Sequence, residues 1–104
     1  MQIEFFARNT KLSTLFKDRV VEKLSKFDKI EALDSIKVEL EYFSNPSIQQ
    51  HSMKVELTAP IKGELLRAEA SEANEFKALD TVIGKFSERL RRELDKQKSK
   101  NSGR

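Results

Sequence analysis

The sequence predicts an α+β domain of order β-α-β-β-β-α, with a four-stranded sheet and two helices packed on one of its faces. Three observations carry that expectation. Apolar and polar residues alternate in four separate stretches, two longer stretches repeat apolar residues at intervals of three and four, and turn-forming residues stand between several of them. A chain of 104 residues has room for one such domain and its core.

Ile3, Phe5 and Ala7 alternate with Gln2, Glu4 and Phe6 and predict a short first strand. Ser13 then has the character of a helix N-cap. Phe16, Val20, Leu24 and Phe27 follow at spacings of four, four and three, with Leu15 and Val21 widening the stripe; this predicts an amphipathic helix over 13–28. Ile36, Val38, Leu40 and Tyr42 alternate with Lys37, Glu39 and Glu41, a strand apolar on one face and charged on the other. Ser44-Asn45-Pro46-Ser47 is a turn signal. Met53, Val55 and Leu57 alternate with Lys54 and Glu56 in a third strand, Pro60 and Gly63 bracket the next turn, and Leu66, Ala68 and Ala70 alternate with Leu65, Arg67 and Glu69 in a fourth. Asn74 can cap a second helix, with Glu75 placed favourably against its dipole. Phe76, Leu79, Ile83, Phe86, Leu90 and Leu94 then predict a helix over 75–97. The domain is expected to occupy residues 1–97, and 98–104 to form a basic, disordered tail. One sheet face is the surface large enough to take both helices. The other, with Lys37, Glu39, Glu41, Lys54 and Glu56, is expected to face solvent.

Composition narrows the function. Charged residues are 36% of the chain, against about 25% in an average domain. There is no cysteine, which excludes disulfides, cysteine-ligated metals and thiol nucleophiles and suits a reducing cytoplasm. No apolar run approaches the roughly 20 residues of a membrane span. The opening Met1-Gln2-Ile3-Glu4 lacks the basic-then-apolar pattern of a secretory leader. His51, the sole histidine, is expected to be an exposed strand residue, not a metal ligand. Phe16, Phe27, Phe76 and Phe86 fall in helix stripes and are expected in the core; the strand parity of Phe6 and Phe43 leaves their faces open. Glu39 and Glu41 share a strand face with no nucleophile beside them, and three glycines form no phosphate loop. No catalytic residue, metal, cofactor or small-molecule substrate is expected.

The net charge of +3 conceals a segregation. Residues 30–75 carry four bases and nine acids, residues 11–29 six and three, and residues 76–104 nine and four. An acidic side and a basic side are expected, an arrangement that steers a protein toward a polyanion. Lys85, Arg89, Arg92 and Lys96 stand at i, i+4, i+7 and i+11, within roughly a 60° arc of a helix and over about 16 Å. Arg19, Lys23 and Lys26 make a smaller row on the first helix, and Arg8 ends the first strand. If both helices pack on one sheet face, these rows are expected to share one side and to grip RNA phosphates by charge and counterion release, with little base reading. The competing reading of such a row is a solvated helix face paired with Glu88, Glu93 and Asp95. The charge segregation favours RNA.

Two segments carry a family likeness. Asn74-Glu75-Phe76-Lys77-Ala78-Leu79-Asp80, followed by Lys85-Phe86, is similar to an Asp-Met-Tyr-x-Ala-Ile-Asp run with Lys-Leu ahead of a basic helix end. Val20-Val21-Glu22-Lys23-Leu24-Ser25-Lys26-Phe27 matches a pattern of basic residue, Leu, any residue, Lys, Leu. In this order, over almost the whole chain, they resemble the short ribosome hibernation-promoting factors, relatives of the ribosome-associated translation inhibitors. The resemblance implies a fold like double-stranded-RNA-binding domains. It also implies binding to the small ribosomal subunit and its rRNA between head and body, across the paths of mRNA and tRNA. Translation would be silenced by steric occlusion in stationary or stressed cells, and the protein would be a monomer off the ribosome. By position, Arg8, Lys23, Lys26, Lys85 and Arg92 would face rRNA. Glu88 and Arg89 stand where the family often has Arg-Gln, Glu72 where it has glycine, and Asn74 where it has Asp. The tail is basic where the translation inhibitors are acidic, and no second dimerisation domain is expected, so the short, ribosome-dimer-promoting type is the closer likeness. A general double-stranded-RNA-binding or RNA-chaperone module is the runner-up. A protein-interaction domain using the exposed acidic sheet face is a third reading.

Overall fold

The computed structural model describes residues 1–45 and 50–102, with 45, 50, 51 and 97–102 described by backbone alone. Its elements are β1 (Gln2–Arg8), α1 (Thr14–Leu24) running into a 3-10 turn (Ser25–Phe27), β2 (Ser35–Asn45), β3 (Gln50–Ile61), β4 (Glu64–Glu72) and α2 (Glu75–Ser102). The β-α-β-β-β-α order is the predicted one.

The sheet runs β1-β2-β3-β4. It is mixed, with β1 parallel to β2 and the other pairs antiparallel. The connections explain this: a parallel neighbour needs a crossover, which α1 supplies for β1 and β2, whereas a short turn suffices between antiparallel strands such as β3 and β4. Between β3 and β4, Lys62 and Gly63 both take positive φ, 47° and 85°, as a two-residue hairpin turn requires. Pairing of β3 with β2 ends at Thr58, two residues short of Pro60, which has no N–H to donate to β2.

Both predicted caps form. The Ser13 hydroxyl accepts from the Phe16 N–H at 3.0 Å, and Asn74 Oδ1 accepts from the Lys77 N–H at 2.9 Å. α1 buries Phe16, Val20 and Leu24. α2 buries Ala78, Leu79, Val82, Ile83, Phe86 and Leu90. Both stripes meet Ile36, Val38 and Leu40 of β2, Val55, Leu57, Ala59 and Ile61 of β3, and Ala68 and Ala70 of β4 in one core. Edge-to-face rings lock the helices together, Phe16 on Phe76 at 6.0 Å and Phe27 on Phe86 at 5.6 Å. Each fully buried large side chain contributes about 1.5–3 kcal/mol.

The structure departs from expectation in four places. Leu15 and Val21 do not widen the buried stripe; both are exposed, because the sheet covers only the arc of Phe16, Val20 and Leu24. β3 outruns the predicted stretch, continuing past Leu57 through Thr58–Ile61, where Ala59 and Ile61 extend the buried face and Pro60, expected in the turn, lies in the strand. α2 continues to Ser102, so residues 98–102, expected as tail, are helical. Ser44 and Asn45 of the expected turn lie in β2. Pro46, Ser47, Gly103, Arg104 and the His51 side chain lie outside the described residues.

Candidate nucleic-acid interface

α2 packs over β3 and β4, with α1 along its other flank. Lys85, Arg89, Arg92 and Lys96 sit beside the buried stripe, toward β4. Lys85 Nζ donates to the Glu69 carbonyl at 3.2 Å, and an Arg89 guanidinium N–H donates to the Arg67 carbonyl. β4 is an edge strand, so these side chains occupy carbonyls on its unpaired margin. Neutral acceptors hold both side chains in place and leave both charges uncancelled. Arg92 pairs with Glu88, one turn away, at 2.7 Å. Lys96 is exposed, with no partner among the described residues.

On α1, Arg19 lies 3.6 Å from Glu22 and stacks its guanidinium 5.5 Å from the Phe76 ring centre. Lys23 reaches across to Asp80 of α2 at 2.9 Å. Lys26 lies 5.3 Å from the Phe27 ring. Lys23 and Lys26 line an open groove of about 500 Å³ between the helices, with Glu22 beside them and Asp80, Ile83 and Gly84 across from them.

Of the eight residues the sequence nominates, seven lie on the helix-bearing side of the sheet. Their arrangement corrects the expected one in three ways. The two rows do not run side by side: Lys85 and Arg89 turn to the β4 edge, whereas Lys23 and Lys26 line the interhelical groove, so the rows bracket α2 from opposite flanks, roughly a helix diameter of 10 Å apart. The reason is that the α2 row borders the buried stripe on its β4 side, and α1 packs against the other side. Arg8 is separate from all of them. It shares the opposite, open sheet face with Glu4 and Phe6 and pairs with Glu39 at 3.3 Å, because even-numbered β1 residues point away from the helices. Finally, the open face is not an acidic side. Among the described residues, Arg8, Lys37, Lys54 and Arg67 interleave there with Glu4, Glu39, Glu41, Glu56 and Glu69. Sums over chain segments cannot see which face a side chain takes.

Two further cations on α2 belong to the helix side. Lys77 and Arg91 are exposed and stand with Asp80 and Gly84 on the α1 flank of α2, at i, i+3, i+7 and i+14. Arg91 edges an apolar recess of about 210 Å³ formed with Phe27, Ile30, Leu90 and Leu94. The same helical arithmetic that picks out Lys85–Lys96 would have found this flank. Glu72, which breaks the family pattern, accepts from the Thr81 hydroxyl at 3.1 Å and ties β4 to the first turns of α2.

Among the described residues no cluster of His, Cys, Asp and Glu could hold a metal ion, and no helix is long and apolar enough to cross a membrane. Phe6 and Phe43 both lie exposed on the open face, 4.9 Å from Lys37 Nζ and 5.6 Å from Lys54 Nζ. The surrounding carboxylates make that face a poor platform for nucleic acid.

A model of the family described as "Sigma 54 modulation protein / S30EA ribosomal protein" matches residues 3–98. A "Ribosome hibernation promotion factor" of Mycobacterium tuberculosis is 30% identical over 98 residues, which is 93% of this chain and 45% of that protein. The chain thus spans less than half the length of that relative. Two solved structures share the fold. A ribosomal subunit interface protein from Coxiella burnetii superposes with a TM-score of 0.72 at 17% identity, covering 95% of this chain and 99% of that one. The N-terminal domain of Protein Y from Thermus thermophilus gives 0.69 at 22%, covering 88% and 98%.

Proposed function

Because the chain belongs to the Sigma 54 modulation protein / S30EA ribosomal protein family, we propose that it is a cytoplasmic ribosome hibernation factor whose helix-bearing side docks on small-subunit rRNA. It silences translation by occupying the mRNA and tRNA channel and holds ribosomes in an inactive, single or dimeric form during stress or stationary phase. No catalytic step is involved.

One observation supports this side above any other. Its cations are free, or held by neutral carbonyls, or paired only with well-exposed carboxylates. Glu22, Asp80 and Glu88 have side chains 52–74% exposed, so their pairs with Arg19, Lys23 and Arg92 are each worth about 1 kcal/mol or less and exchange readily for phosphate. Lys85 and Arg89 come already ordered, which lowers the entropy lost on binding.

Sucrose-gradient sedimentation of ribosomes with added protein tests the proposal. Wild type is expected to travel with small subunits at low salt and to dissociate steeply as salt rises. The Lys85→Glu, Arg89→Glu, Arg92→Glu variant, and separately Lys23→Glu with Lys26→Glu, should remain at the top, each checked for folding by thermal melt. Wild type that stays at the top at low salt refutes the proposal. Displacement by arbitrary duplex RNA as readily as by ribosomes would indicate the general RNA-binding module instead.

A further inference from the structure

β1 and β4 form the two edges of the sheet, and they are finished differently. On β4, Lys85 and Arg89 cover outer carbonyls. No Lys or Arg among the described residues donates to the outer margin of β1. The apolar layer also stops short there: Ile3 and Phe5 are only half-buried, while Ile36, Val38 and Leu40 beside them on β2 are fully buried. Phe6 is 47% exposed on the opposite face. Val21 is 51% exposed on α1, one turn beyond Lys17, whose Nζ lies 6.0 Å from the Phe5 ring centre. An uncovered strand margin with apolar groups on both sides is a template for another strand.

The residues along this margin say which strand fits. Glu4-Phe5-Phe6-Ala7-Arg8 is complementary to itself when reversed. In an antiparallel register centred on Phe6, Glu4 faces Arg8 of the second copy at both ends, Phe6 faces Phe6, and Phe5 faces Ala7. All the charged pairs fall on the open face. Glu4 has no ion-pair partner among the described residues, and Arg8, paired with Glu39, still has a side chain 66% exposed. Asn9, at φ 60°, ends the strand just beyond the paired segment. We propose that the outer edge of β1 pairs antiparallel with β1 of a second copy of this chain about a two-fold axis at Phe6. This joins two sheets into one of eight strands with all four helices on the same side. It replaces the monomer expected from the sequence with a concentration-dependent dimer, since one pair of short strands buries less than a standard interface.

Sedimentation equilibrium of the whole chain up to millimolar concentration is the test, with Glu4→Arg, with Arg8→Glu, and with the two variants mixed. Wild type should self-associate. Each variant alone places like charges opposite each other and should dissociate about tenfold more readily. The mixture sets Arg against Glu at both ends and should associate again. A wild type that stays monomeric at millimolar concentration overturns the proposal, as does a mixture of folded variants that fails to associate. If Arg8→Glu does not fold beside Glu39, Glu4→Arg alone decides, because position 4 is exposed; self-association equal to wild type then overturns the register.

Discussion

The two sides of this molecule spend similar residues on opposite ends. On the open sheet face, Glu39, Glu41 and Glu56 keep only 15–20% of their side chains exposed, and Arg8, Lys54 and Arg67 lie among them in pairs of 3.3–3.8 Å. Lys54 alone joins Glu41, Glu69 and the Phe43 ring. Glu39, Glu41 and Glu56 are committed to the fold, while the side chains of Arg8 and Arg67 stay 66% and 58% exposed. On the helix side the carboxylate partners are mostly solvated, and two cations rest on neutral carbonyls. The difference teaches that the availability of a charge is set by the burial of its partner and not by how many bases a segment contains.

That comparison can be broken or sharpened. The largest effect is expected from the helix side: the Lys85→Glu, Arg89→Glu, Arg92→Glu variant should lose at least about a hundredfold in ribosome affinity, whereas Lys37→Glu on the open face should leave co-sedimentation unchanged. Equal losses would abolish the distinction between the two sides. Next, Lys54→Ala should lower unfolding free energy by about 1 kcal/mol, read from denaturant titration, with ribosome binding intact. Gly84→Ala should raise stability by about 0.5–1 kcal/mol, because an added Cβ meets nothing within 4 Å and alanine favours the helix. If its ribosome affinity falls while its melting temperature rises, the interhelical groove is part of the contact. The smallest change is expected from Asp80→Asn, which frees Lys23 and should tighten ribosome binding about twofold in a low-salt titration.

Much of the fold is legible in the chain. Period-two stretches such as Ile36–Tyr42, period-3.6 stripes such as Phe16–Phe27, and the Ser13 and Asn74 caps are local patterns, and each forms where the pattern places it. The cations are legible too, as residue types on helix faces. Sequence alone therefore determined which elements exist, which faces are apolar, and that the helices are rich in charge.

Tertiary structure decided the rest. The parallel pairing of β1 puts Arg8 on the face opposite the helices, and no local spacing encodes that. Docking of α2 over β3 and β4 turns Lys85 and Arg89 to the sheet edge and leaves Lys77 and Arg91 on the α1 side. Folding leaves Glu31, Asp34, Glu72 and Glu75 of the acidic segment off the open face and brings Arg8 onto it, so that face is a near-neutral lattice. Periodicity fixes a side chain's angle about its own helix or strand, but which neighbour lies at that angle depends on how distant elements pack. The meaning of each charge follows from that packing.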